Sequence, residues 1–473
     1  MTKHSHRLAP DFRRGAKTLH EMREELDTGR TTAVALTRLA LDEAERSRVA
    51  LNAYSVIATE TALEAAAASD RRYSNGTARL LEGLPIAVKD IIDTENIETR
   101  YGSAAYIGHR PSHDADIVRV LKDKGAIIIG KTTTHEFAWG VTTSSPRFGD
   151  TLNPHDPNCI PGGSSGGTAA AIGFGAIAGG LGTDTGGSAR IPASLCGVVG
   201  FKPTYSRLST NGIFPLAPTL DHPGILGKTV GDVTLLAEAL GLSSGYEPTL
   251  RGQIGVIDTI ANVPVEECVA VAFDHSIELL SGDLEIERIG SCPLFADKFR
   301  VFAGIVLMEG GITHFSRNRL ELMASSYNHE TMTRLQLAKT STVGEYAQNL
   351  QARWDFITDL HQLMKRFRFL MTPTTPCVAP KRGIDMIRIG DWSGTVREAM
   401  MTYTSPFNIA GFPAISIPMP VLGSGLPIGL QIVGRRDEDD ALIALARNIE
   451  AILSRDPSET QPVEVLIEIP PVP

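Results

Sequence analysis

Three short segments carry residue types that can do chemistry together: GLPIAVKD, ending at Lys89 and Asp90, PGGSSGG around Ser164, and GLGTDTGGSARIPASLCGVVGFKPT around Ser188. A glycine-rich loop with two serines exposes backbone N–H groups that suit an anion or a developing oxyanion. The run Asp184-Thr185-Gly186-Gly187-Ser188 lets consecutive amides converge on one point beside a hydroxyl. A lysine at a strand end among apolar residues can lose its charge to burial and serve as a base. Other chemistries fit less well. GGSSGGT lacks the Lys-Ser/Thr pair of a Walker A loop and does not match GxGxxG at a strand end, and no GxSxG elbow with a nearby histidine is present.

The order and length of these segments resemble the amidase signature family, which includes fatty acid amide hydrolase and the A subunit of an amidotransferase. The resemblance runs from about residue 20 to 453 and is densest from Leu84 to Thr204. The segments TPTTP (372–376), FNIAGFPAISIP (407–418) and GLPIGLQIVG (425–434) share it. It implies a single α/β domain with a mixed, many-stranded sheet covered by helices on both faces. It implies a Ser-Ser-Lys triad in which Lys89 is the base, Ser164 the bridging serine, usually preceded by a cis peptide, and Ser188 the nucleophile. The oxyanion donors then fall on the amides of Thr185, Gly186, Gly187 and Ser188, with no cofactor and no metal. The activity implied is hydrolysis of a small-molecule carboxylic amide through an acyl-enzyme. The rival is a subunit that delivers ammonia to a partner. Against it, HEFAWGVTTSSPRFGD (135–150) lacks the MGSSxENS-like stretch associated with that subunit.

Neighbouring residues have plainer readings. Ser165 and Asp184 are expected to support the loops, and Arg190 to form a structural ion pair rather than meet a substrate carboxylate. His135-Glu136 starts like a zinc HExxH site but has no second histidine at the required spacing. His109, His113, Asp114 and Asp116 read as a helix start capped by Asp114. Phe137, Trp139, Met401, Tyr403 and Phe407 suit either an acyl pocket or the core. Asp90 is the acid nearest to Lys89 along the chain and would oppose a lowered lysine pKa if it faced the amine.

Alternating helices and strands must position these groups. Periodicity predicts helices over 31–49 (Thr31 or Thr32 as N-cap), 116–124, 168–175, 264–280 and 440–453. It predicts strands over 84–88, 126–129, 176–182, 253–257, 284–289, 370–372, 414–418 and 429–433. No long linker interrupts them, so the 473 residues read as one domain, with 245–400 its more variable half and 1–20 and 455–473 terminal extensions. The segment VEVLIEI near the end can pair on a sheet edge.

Composition narrows the remaining classes. A net charge of −9 with dispersed charges is no nucleic-acid footprint. The uncharged stretch from Cys159 to Thr183 is long enough to span a membrane, but its glycines and Pro161 mark it as a buried loop, helix and strand. No secretory signal is evident at the N-terminus. Five cysteines without a CxxC suggest free thiols in a reducing, cytoplasmic setting. A homodimer is compatible with all of this.

Overall fold

Short apolar segments that cannot bury both faces alone assemble here into one mixed sheet of eleven strands. The structure, a computed structural model, describes residues 16–242, 253–261, 263–317, 320–421 and 425–455. The strands are β1 (Tyr54–Ile57), β2 (Pro85–Lys89), β3 (Ile127–Thr132), β4 (Gly179–Thr183), β5 (Val199–Lys202), β6 (Pro223–Gly227), β7 (Ile254–Ile260), β8 (Ile286–Cys292), β9 (Phe369–Pro373), β10 (Met386–Ile389), β11 (Trp392–Thr395), β12 (Ala414–Pro418) and β13 (Gly429–Val433). The sheet order is β1-β3-β2-β4-β6-β5-β12-β13-β9-β7-β8, with β10 and β11 a separate hairpin. Helices cover both faces, and the same sheet takes strands from before and after residue 245.

Most expected elements are present with shifted ends. The first predicted helix is Ala33–Leu51, and Thr32 caps it through a bond from the Ala35 N–H. The uncharged stretch folds as a loop, the helix Gly166–Phe174 and β4, all buried apart from Gly175, which is half-buried. Its strand begins later than expected because Gly175 adopts a left-handed conformation at the helix C-cap and a short connector follows. β3 runs past the expected end at Ile129 to include Lys131, whose buried ammonium donates to the Ile92 carbonyl and to Thr94 and Thr99 hydroxyls. A charged residue reads as a strand end unless its partners are visible. β1, β5, β6, β10 and β11 were not predicted at all; β6 has five residues and the others four each, and their apolar runs are broken by polar residues, Gly or Pro. The segment VEVLIEI lies outside the described residues.

The centre of the sheet explains the glycines. β2 lies between β3 and β4, parallel to both, with Ala87 opposite Gly180 and Lys89 opposite Thr132. A Cβ at Gly180 would stand 2.7 Å from the Ala87 carbonyl oxygen, and one at Gly167 would stand 2.5 Å from the Thr133 nitrogen. The helix Gly166–Phe174 therefore lies close against the strands where its glycines face them, with Thr168 bonding Thr132 across the contact. No helix is long and apolar enough to cross a membrane among the described residues. None of the five cysteines is in a disulfide.

At the sheet edge, a Cβ on Gly130 would meet the Val56 carbonyl oxygen at 2.3 Å, a backbone atom that can move only by parting β1 from β3. Gly130→Ala is expected to lower unfolding free energy by about 1–3 kcal/mol, the usual cost of overpacking. Urea denaturation checks this, and a variant as stable as the parent contradicts the close approach.

Candidate active site

Because β2 and β4 are parallel neighbours, their C-terminal residues Lys89 and Thr183 share one edge of the sheet, where open α/β sheets hold their ligands. Lys89 is fully buried. Its Nζ lies 2.8 Å from Ser164 Oγ and 2.6 Å from Thr183 Oγ1. Burial drives its pKa down to about 7, against the pull of the Asp184 and Asp221 carboxylates. Asp90, the acid nearest along the chain, is not among the carboxylates that act on this amine. It accepts the Arg100 N–H, lies near Lys131, and burial raises its own pKa to about 6.

Ser164 sits in the loop before the helix Gly166–Phe174, and the Gly163–Ser164 peptide is cis. Thr143 Oγ1 donates to the Gly162 carbonyl and accepts the Gly166 N–H, which grips the loop from outside. Ser188 follows β4, in the turn before the helix Arg190–Cys196. The two serine loops are joined by the Ser165 N–H donating to the Ser188 carbonyl at 3.1 Å. No hydrogen bond links Ser164 Oγ to Ser188 Oγ among the described residues, so the lysine-to-serine link is formed and the serine-to-serine link is open. Such bonds are often long without substrate.

The turn is shaped by Asp184. Its carboxylate accepts the N–H groups of Gly187 (2.9 Å), Ala189 (3.2 Å) and Arg190 (3.4 Å), and its charge is met by the Arg190 guanidinium in a bidentate pair. Both side chains are fully buried, and Arg190 holds the Asp184 carboxyl well below the usual carboxylate range despite burial. The other Arg190 donors reach Gln431, Asn408 and the Thr404 carbonyl, so it is a structural residue, as expected. Gly187 takes φ +125°, and a Cβ there would stand 2.1 Å from Thr404 Oγ1. Its N–H is committed to Asp184, which separates it from the other expected oxyanion donors. The amides of Thr185, Gly186 and Ser188 donate to no described residue.

Several site residues gave no sequence signal. Thr183 was available as the residue before Asp184. Asp221, which accepts from Thr185 Oγ1, and Thr404, which donates to the Gly186 carbonyl, are brought in by the sheet from far along the chain. Ser165 supports the loop as expected, donating to the Thr183 carbonyl. His135 pairs with Glu330 at 3.0 Å, and no described cluster is set to hold a metal. Asp114 is not a cap: it accepts the Glu95 N–H and pairs with Lys122, and the N-cap position is Ala115. Phe137 packs against Phe214, Tyr327 and His314, Tyr403 donates to the Val263 carbonyl, and Phe407 meets Phe295 edge-on. Met401 is buried, and Trp139 borders a cavity between helices.

Comparison with known proteins agrees with this architecture. The chain is 32% identical to the A subunit of the glutamyl-tRNA(Gln) amidotransferase of Desulfosudis oleivorans, over 92% of this chain and 97% of that one. It is 33% identical to the protein of the same name from Archaeoglobus fulgidus, over 85% and 92%. A crystal structure described as an amidase superposes with a TM-score of 0.86 at 32% identity, over 93% of this chain and all of that one. With the Amidase family model matched from residue 35 to 443, the chain belongs to the amidase family.

Proposed function

We propose that this protein is a stand-alone amidohydrolase that cleaves a linear carboxylic amide through Ser188, Ser164 and Lys89. The observation that carries the reading is a buried lysine, made a base near neutral pH by desolvation, hydrogen-bonded to one serine and set beside the turn of another. Neutral Lys89 accepts the Ser164 proton, Ser164 accepts that of Ser188, and Ser188 Oγ attacks the carbonyl carbon. The alkoxide is held by the uncommitted amides of Thr185, Gly186 and Ser188, each a contribution of about 3 kcal/mol in comparable sites. As the tetrahedral intermediate collapses, the C–N bond breaks and the proton returns through Ser164 to the leaving nitrogen. Water then hydrolyses the ester to free the acid and Ser188. The Ser164–Ser188 link closes when substrate is bound.

A second reading has its own support, because the relatives matched over nearly their full length are named as amidotransferase subunits. In that reading glutamine is the amide and the ammonia passes to a partner chain. The purified chain, run on gel filtration and supplied with a panel of amides, is expected to release acid and amine unaided. Activity confined to glutamine and dependent on a partner points to the transfer role instead.

Ser188→Ala is expected to abolish turnover and keep the fold, since the turn is held by backbone groups and Asp184 rather than by the Ser188 hydroxyl. A fluorophosphonate should label Ser188; labelling at Ser164 reverses the roles. For Lys89, whose protonated form cannot accept a proton, kcat/KM is expected to rise with pH through one ionisation near 7 and then level. Lys89→Ala is expected to erase that limb and to cost roughly 10²–10⁴-fold toward amides, less toward esters. A pH–rate profile in which the limb survives in Lys89→Ala removes Lys89 from the role of base.

A further inference from the structure

The residues of the Ser188 turn are held by different contacts. Asp184 takes the Gly187 N–H, Thr404 donates to the Gly186 carbonyl, and Thr185 Oγ1 donates to Asp221 Oδ1 at 2.7 Å. The Thr185 N–H donates to no described residue, so the hydroxyl bond fixes the residue that aims this amide.

Asp221 is itself built into a tight segment. Its buried carboxylate also accepts the N–H groups of Leu216 at 2.9 Å and Ala217 at 3.1 Å, and its own N–H donates to the Ala217 carbonyl. Burial raises its pKa, but three donors on one carboxylate favour the charged form. Beside it, the His222 carbonyl accepts the Asp184 N–H at 2.8 Å. Two neighbouring residues thus grip two neighbouring positions of the turn.

The segment is anchored by helices from the later half of the chain. Glu309, buried on the helix Lys298–Arg317, accepts the Thr219 N–H at 3.0 Å and the Thr219 hydroxyl at 2.6 Å. Tyr346, on the helix Val343–Arg366, donates to the same carboxylate at 2.9 Å. Arg353 of that helix donates to the Thr219 hydroxyl and carbonyl, both at 2.9 Å, and its charge answers that of Glu309. Every polar group of Thr219 is therefore engaged. The Glu309 helix also carries Phe302, packed so closely on the turn that a Cβ on Gly186 would stand 2.3 Å from its ring.

We propose that Asp221 is a positioning residue that aims the Thr185 amide at the oxyanion, with Glu309 and Arg353 bracing its segment. This rests on the amidase reading, but the rigidity of the turn can be measured without turnover. Asp221 acts through Thr185 and, by its charge, on Lys89. That amine is faced by the Asp184 and Asp221 carboxylates and by the hydroxyls of Ser164 and Thr183. Asp221 is faced by the Glu309 carboxylate as well as by its donors. Removing the Asp221 charge takes away one group that favours the protonated lysine.

Kinetics and hydrogen exchange on the full chain test the proposal. Asp221→Asn is expected to lower kcat about tenfold or more while KM changes by less than about threefold, as for a donor used in the transition state. Its kcat/KM limb should move to lower pH, because Lys89 gives up its proton more readily. Glu309→Gln, whose carboxylate does not act directly on Lys89, should lower kcat about threefold or more and leave the limb in place. Amide exchange over residues 183–189, read by mass spectrometry, should quicken in both variants while β9 keeps its parental protection. If Asp221→Asn does not fold, Glu309→Gln carries the test. Parental kcat, a loss confined to KM, an Asp221→Asn limb left in place, or parental exchange of the turn overturns the proposal. Faster exchange of the turn in a chain that hydrolyses no amide leaves the brace standing and removes the amidase reading.

Discussion

The buried carboxylate of Asp184 organises the centre of this molecule. It gathers the amides that follow it into a tight turn, and the guanidinium that neutralises it is itself tied to Gln431, Asn408 and the Thr404 carbonyl. A buried pair of this kind repays its desolvation only when the remaining donors and acceptors are also satisfied, and here the surrounding side chains supply them. Strands and loops from opposite ends of the chain are thereby fastened to the turn that carries Ser188.

The same charge sets a tension with Lys89. Asp184 and Asp221 favour a protonated amine, whereas complete burial favours a neutral one, and burial prevails. Arg190 tempers the opposition, because a carboxylate already paired with a guanidinium exerts a weaker field on a second cation. The neighbouring Lys131, also fully buried, keeps its partners in the loop after β2 and leaves Lys89 to Ser164 and Thr183. Two buried lysines on adjacent strands therefore have different tasks because different oxygen atoms meet them.

Glycine makes the arrangement possible. β4 and the helix Gly166–Phe174 are built almost wholly from small residues, and their backbones approach within distances that a side chain would block. Thr404 and Phe302 fill the space that side chains at Gly186 and Gly187 would need, and Thr404 also donates to the Gly186 carbonyl.

Much of this was legible along the chain. The alternation of elements, the two serine loops and the strand ending in Lys89 are local patterns, since apolar period and glycine placement depend on neighbours only a few residues away. The family resemblance added the expected roles of Ser164 and Ser188 and the expected oxyanion donors, and the cis peptide that the structure has before Ser164. Other features depended on the sheet. That Asp90 faces Lys131, that Asp114 pairs with Lys122 instead of capping a helix, and that Gly187 gives its N–H to Asp184 are outcomes of which groups meet in space. Asp221, Thr404 and Gln431 reach the site from strands and loops far from Ser188 along the chain. Residue types and local spacing were determined by the sequence itself. Which charges are paired, which donors stay free and what the lysine pKa becomes were decided by the tertiary structure, because desolvation and hydrogen bonding depend on distance in space rather than along the chain.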